Sequence, residues 1–152
     1  MTPLAATRSP EILPDGLPIG LIETLADGLV VPYLGPRVLA LAPDYAVPAT
    51  PEALVALLTA RSSVPHKIRN RLTQSAQYIE NFKHRKTLVG LMNEAFAATP
   101  RPSPLHTALA SYGFPLIVDA WYDDAMATAL AAHAPTGSWG QVQGLARIEL
   151  AA

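Results

Sequence analysis

The chain has 152 residues, a mass of 16.1 kDa and a formal net charge of −1, with an isoelectric point near 6.4. Half of its residues are hydrophobic, enough to bury the core of one domain, and the absence of cysteine excludes disulfides and thiolate zinc sites. The balanced charge makes no global case for nucleic acid or anionic membrane, no run reaches the roughly 18 to 20 apolar residues of a membrane helix, and Met1 to Pro10 lacks the apolar stretch of a signal peptide, so a cytoplasmic protein is expected.

Fifteen prolines, about twice the usual share, divide the chain into short elements. Pro3, Pro10, Pro14 and Pro18 keep residues 1–19 out of a helix and suggest an extended arm, leaving 20–152 as a single domain. Leu21, Ile22 and Leu25 share a helical face, and Gly28 is placed to end that helix in a left-handed conformation. Leu29 to Leu34 then reads as a short buried strand, with Pro32 removing one ladder donor and Gly35-Pro36 closing it. Thr50-Pro51-Glu52 has the cap, first-turn proline and first-turn acid of a helix whose Leu54, Leu57 and Leu58 face inward.

Pro65 is expected to open the next helix, with Ile68, Leu72, Ala76 and Ile79 inside and Lys67, Arg71 and Gln74 outside. After a break near Asn81 to His84, Leu88, Leu91, Met92, Ala95 and Phe96 give the clearest amphipathic pattern in the chain. Ser103 caps a helix with Pro104 in its first turn and Leu105, Ala108, Leu109 and Tyr112 inward. A Gly-Phe-Pro turn leads to a strand Pro115 to Val118, a loop Asp119 to Asp124 and a further helix, and Val142 to Leu150 reads as a weak third strand. Strands rich in Val, Ile and Leu separated by helices predict an α/β fold: a small parallel, Rossmann-like sheet of two to three strands with a heavy helical complement.

In an open α/β sheet, ligands sit at the carboxyl ends of the strands, which points to Asp119 to Asp124. Asp119, Asp123 and Asp124 lie beside Trp121 and Tyr122, where paired carboxylates suit acid/base work or a divalent ion, although a cap on the following helix is the favoured reading. His66, His84, His106 and His133 have no metal-ligand spacing, so no metal site is expected, and His106 reads as a hydrogen-bonded structural residue. Seven of the 11 basic residues, including Lys67, Arg69, Arg71, Lys83, Arg85 and Lys86, fall between Arg61 and Lys86 against one acid, Glu80. That local charge of about +6 suits nucleic acid, nucleotide phosphates or an acidic partner, or else a solvated helical face.

Two stretches together resemble the sirtuin-like domains. Gly20 to Leu41 resembles that family's opening helix and apolar strand ending in Gly-Ala-Gly-x-Ser, and Pro104 to Leu130 resembles its His-x-x-Leu-Ala, then Pro-Leu-Ile-Val-Thr-Thr-Asn-Tyr-Asp, then helix. His106, Leu109, Ala110, Pro115 to Val118, Tyr122 and Asp123 carry the likeness. It implies a Rossmann-like domain that binds NAD and in many bacterial members hydrolyses it, often in defence, with Gly35, Arg37 and Trp121 at the cofactor and Tyr122 and Asp123 nearest the ribose. Pro36, Arg37 and Leu39 replace the motif's alanine, second glycine and serine, and Trp121 replaces its asparagine. The family's catalytic histidine and later strands fall beyond the region matched.

Two functions follow. One is a degenerate sirtuin-like module without a cofactor, acting as a scaffold through a protein partner or homo-oligomer. The alternative is an NAD-binding or NAD-hydrolysing defence enzyme completed by another chain or a further C-terminal segment. A nucleic-acid adaptor using the basic stretch ranks behind both.

Overall fold

A computed structural model describes residues 20–142. The proline-rich arm 1–19, and all of the expected third strand beyond Val142, lie outside the described residues.

The first element among the described residues is α1 (Leu21–Ala26), which ends as its glycine requires. Gly28 has φ 65°, its N–H donates to the Leu25 carbonyl, and the Leu29 N–H donates to that of Thr24, which together satisfy two of the helix's last carbonyls. β1 (Tyr33–Leu34) follows, then a 3-10 turn over Leu39–Leu41 and a loop to α2 (Pro51–Arg61). Thr50 caps α2 by accepting from the Ala53 N–H at 3.1 Å. α3 (Leu72–Lys83) and α4 (Arg85–Ala95) pack on α2 and on each other. α5 (Pro104–Tyr112), β2 (Val118–Asp119) and α6 (Ala125–His133) complete the described fold.

β1 and β2 form a two-stranded parallel sheet, with Tyr33 opposite Val118 and Leu34 opposite Asp119. The fold is therefore α/β, six α-helices around a very small parallel sheet among the described residues. The core has two ends. At the sheet, Leu34 packs with Leu109, Met126 and Ala129 between α5 and α6. In the helical half, Leu54, Leu58 and Ile79 are fully buried and are covered by the half-buried Leu88 and Met92 of α4. Each of those three side chains contributes about 1.5–3 kcal/mol of burial. Leu39, Val47, Ala49 and Ala125 bridge the two ends, with Phe96 touching both the bridge and the helical cluster.

Several sequence expectations shift. The strand expected from Leu29 is paired only at Tyr33 and Leu34; Leu29 and Val31 are exposed, and Pro32 takes part through its carbonyl, which accepts from Val118 N–H. The second strand likewise moves from Pro115–Val118 to Val118–Asp119, with Leu116 exposed. The helix expected at Pro65 begins only at Leu72, because residues 66–70 form turns and Arg71 is extended. Ile68 keeps the helical spacing but serves another purpose: its carbonyl accepts from Ser75 Oγ at 2.7 Å, anchoring the turn to α3. On α2, Leu57 is 44% exposed. On α5 the inward face is His106, Leu109 and Ala110, one residue round from the expected stripe, which leaves Leu105, Ala108 and Tyr112 exposed.

Candidate functional site

The parallel register brings two loops together. The Ala120 N–H donates to the Leu34 carbonyl at 2.8 Å, so the chain leaves β1 through residues 35–38 beside the chain leaving β2 through residues 120–124. This is the side of an α/β sheet where ligands bind. It carries Gly35 and Arg37 on one loop and Trp121, Tyr122 and Asp123 on the other.

A phosphate cradle needs backbone N–H groups converging on open space. Here Pro36 has none, the Arg37 N–H donates to the Ala49 carbonyl at 2.8 Å, and the Val38 N–H is turned back toward the Gly35 carbonyl at 3.5 Å. Residues 36–38 therefore offer a pyrophosphate no convergent donors, and this loop does not fit that group. Arg37 has φ 83°, a left-handed conformation that disfavours a side chain and that glycine adopts freely. Arg37 thus holds a backbone shape that glycine would take without strain. The Arg37 guanidinium lies 2.8 Å from the Glu52 carboxylate on the surface. Glu52 sits below its usual pKa, first through its own backbone N–H, then through the Thr50 hydroxyl and Arg37. At Gly35, by contrast, a Cβ would meet nothing within 4 Å.

Trp121 is half-buried and built into the protein. Its Nε1–H donates to the Pro48 carbonyl at 2.9 Å, and its ring meets Phe96 edge-on with centroids 6.3 Å apart. The segment Pro48-Ala49 thus takes one donor from each strand-end loop. Tyr122, 56% exposed, leans on Phe96 and borders an apolar groove between α2, α3 and α4.

Asp119, Asp123 and Asp124 line a cavity of about 350 Å³ with Trp121 and Trp139. Asp123 Oδ1 accepts the Ala125 N–H at 2.7 Å, so Asp123 is the acid that satisfies the start of α6, one residue earlier in the chain than the helix boundary at Asp124. Asp119 Oδ1 accepts from the Trp121 N–H at 3.1 Å and braces the loop. Desolvation pushes the Asp119 carboxyl up to about 6; Asp123 and Asp124 add repulsion, and the Trp121 N–H opposes the rise. The residue as a whole remains exposed, so solvent screening reduces what that shift is worth. Among the described residues, no group of three or more His, Asp or Glu is arranged to hold a metal ion.

His106 is 2% exposed and belongs to the architecture. Its Nδ1 accepts from the Ser103 N–H at 3.1 Å while the Ser103 hydroxyl lies 2.7 Å from the same atom, closing a reciprocal cap on α5. That backbone donation leaves the ring proton of the neutral form on Nε2. Burial lowers the pKa of His106, with Asp123 acting in the opposite direction. The Ser-Pro-Leu-His order announced a cap, but a histidine in the place usually held by glutamate is legible only in three dimensions.

The basic stretch runs from the end of α2 through the turns before α3 to the start of α4. Arg61 pairs with Glu94 and Arg85 with Glu80, while Lys67, Arg69, Arg71, Lys83 and Lys86 make no salt bridge among the described residues. Lys67 and Arg71 border a groove of about 660 Å³ along α3. Among the described residues no helix is long and apolar enough to cross a membrane. No family model, curated protein or solved structure matches the chain.

Proposed function

We propose that the chain is a sirtuin-like domain whose nucleotide pocket is filled by its own residues and which works as a protein-interaction module. One observation carries the reading: the Pro48 and Ala49 carbonyls accept the Trp121 indole N–H and the Arg37 amide, one donor from each strand-end loop. Both hydrogen bonds tie the strand-end loops to a neighbouring segment rather than leaving them open to a ligand. The order of β1, its loop, α5, β2 and α6 supports the sirtuin-like and Rossmann-like assignment, since the parallel pairing places the resembled stretches side by side.

The interaction role is supported by what the small sheet leaves outside. Leu29, Val31, Tyr33 and Leu116, all at or beside the two strands, are more than half exposed. Apolar residues beside a short sheet suit a partner that adds a strand or covers the edge. Size-exclusion chromatography with light scattering, together with pull-down by the tagged chain, tests this; a stable assembly lost on Tyr33→Glu supports it. A monomer that captures no partner counts against it.

The rival reading is an NAD-binding or NAD-hydrolysing enzyme in which Tyr122 and Asp123 lie near the ribose. It is favoured by the carboxylate-lined cavity at the strand ends, where Asp119 titrates near 6. A nicotinamide-release assay distinguishes the two: release abolished by Asp123→Asn supports the enzyme, and no release supports the module.

A further inference from the structure

The α3 face gathers groups that the strand-end site does not use. Gln74, Tyr78 and Phe82 recur at spacings of four, so they form one stripe, with Gln77 and Asn81 beside it and Arg71 at its start. Tyr78 and Phe82 are stacked, with ring centroids 4.6 Å apart and planes 29° from parallel. Phe82 is 67% exposed, an unusual place for a phenylalanine and a flat apolar surface presented to solvent. Lys67 and Arg71 line the same groove of about 660 Å³ as this pair, and no carboxylate lines it. Glu80, the one acid in the stretch, is held by Arg85 at 2.6 Å.

We propose that this groove binds single-stranded nucleic acid, with bases stacking on Tyr78 and Phe82 and the flanking phosphates held by Lys67 and Arg71. Each component has the chemistry for its part. An aromatic ring beside a cation accepts any unpaired base through its π-face, while the positive groups track the backbone. The amides of Gln77 and Asn81 supply donors and acceptors for base edges that a duplex would hide, while the Gln74 amide oxygen accepts from Arg71 at 3.4 Å. A duplex keeps its bases stacked on one another and cannot use the rings. A purely solvated basic face needs no exposed phenylalanine stacked on a tyrosine in the same groove, and an acidic protein partner gains little from one. The site is remote in kind from the strand-end loops and stands whether or not the function proposed above is correct.

The test is fluorescence anisotropy of a labelled oligothymidylate of about 12 nucleotides, a length within the range that comparable single-strand sites cover, titrated with the full chain at several salt concentrations. Two phosphate contacts predict a slope of log K against log salt of about −1.4, and Lys67→Gln should make it shallower by about 0.7. Phe82→Ala should weaken binding about 5- to 150-fold with the slope retained, and Phe82→Tyr should restore it. Because Phe82 is exposed, circular dichroism should show both variants folded. Absence of binding at low salt would overturn the proposal. So would binding that Phe82→Ala leaves unchanged, or that duplex or heparin matches, since either outcome means polyanion attraction alone.

Discussion

At the carboxyl ends of β1 and β2 three polar groups are bonded within the protein, whereas along the α3 groove the side chains face solvent. Arg37 N–H, Trp121 Nε1–H and Asp123 each have a partner within the chain. Lys67, the groove-lining amide of Asn81 and the ring of Phe82 are exposed. The difference is that a sequence motif marks where a site can form, while availability depends on which donors remain unsatisfied. A strand-end donor already bonded within the chain is not available to a ligand.

The comparison is broken most completely by cutting the scaffold that both faces share. Ile79 is fully buried in the helical core and lies on α3 itself. Ile79→Ala should cost about 2–5 kcal/mol through lost burial and the cavity left behind, read as a lower urea midpoint. A smaller effect isolates the strand ends. Trp121→Phe keeps the ring against Phe96 but removes the donor to the buried Pro48 carbonyl, and should cost about 1–3 kcal/mol by leaving that acceptor unpaired.

Asp119 gives the comparison a pH axis. Its folded-state pKa, about 6, lies above the ordinary value of 3.8, so between those values the unfolded chain has released a proton that the folded chain keeps. Stability from this group therefore falls as pH rises through that window. Asp119→Asn retains the oxygen that accepts from Trp121 N–H and removes the charge. It should match the parent chain near pH 3.5 and exceed it at pH 7, by less than about 1 kcal/mol because the residue is exposed. His106 acts oppositely: its lowered pKa makes folded stability fall as pH drops below its ordinary value of 6.5. The smallest effect is expected at Gly35. Gly35→Ala should change stability by no more than about 0.5 kcal/mol, since the added Cβ meets open space and the backbone is not left-handed.

Much of the fold was legible where a local rule decides it. Thr50-Pro51 and Ser103-Pro104 announced two helix starts, and Gly28 announced a helix end, because caps depend on the residues beside them. The pattern of α4 also held: Leu88, Leu91, Met92 and Ala95 all cover the helical core, though none is fully buried. Boundaries were lost where two structures share one spacing. Ile68 and Leu72 are four apart whether a helix joins them or a turn does, and only the extended Arg71 separates the cases. Strand lengths were overestimated because apolar runs such as Leu29 to Leu34 do not say how many residues find a partner; here two do.

At the candidate site, sequence located Gly35, Arg37, Trp121, Tyr122 and Asp123 around one sheet end but gave no sign of Pro48 and Ala49. Those two act through backbone carbonyls, which carry no residue signature, and the Trp121 bond spans 73 positions. On α3 the reverse holds. Tyr78 and Phe82 are four apart in the sequence, and the helix places them in a stacked pair lining the same groove as Lys67 and Arg71.

The most direct test of the closed strand end is NAD titration of the Trp139→Phe chain, in which Trp121 is the sole remaining tryptophan. With the Arg37 amide and the Trp121 indole held by Ala49 and Pro48, the emission should show no saturable change up to about 1 mM, the upper end of ordinary substrate affinities. A saturable shift below that concentration, accompanied by calorimetric heat, would mean that the loops release those bonds for the cofactor and would contradict the account.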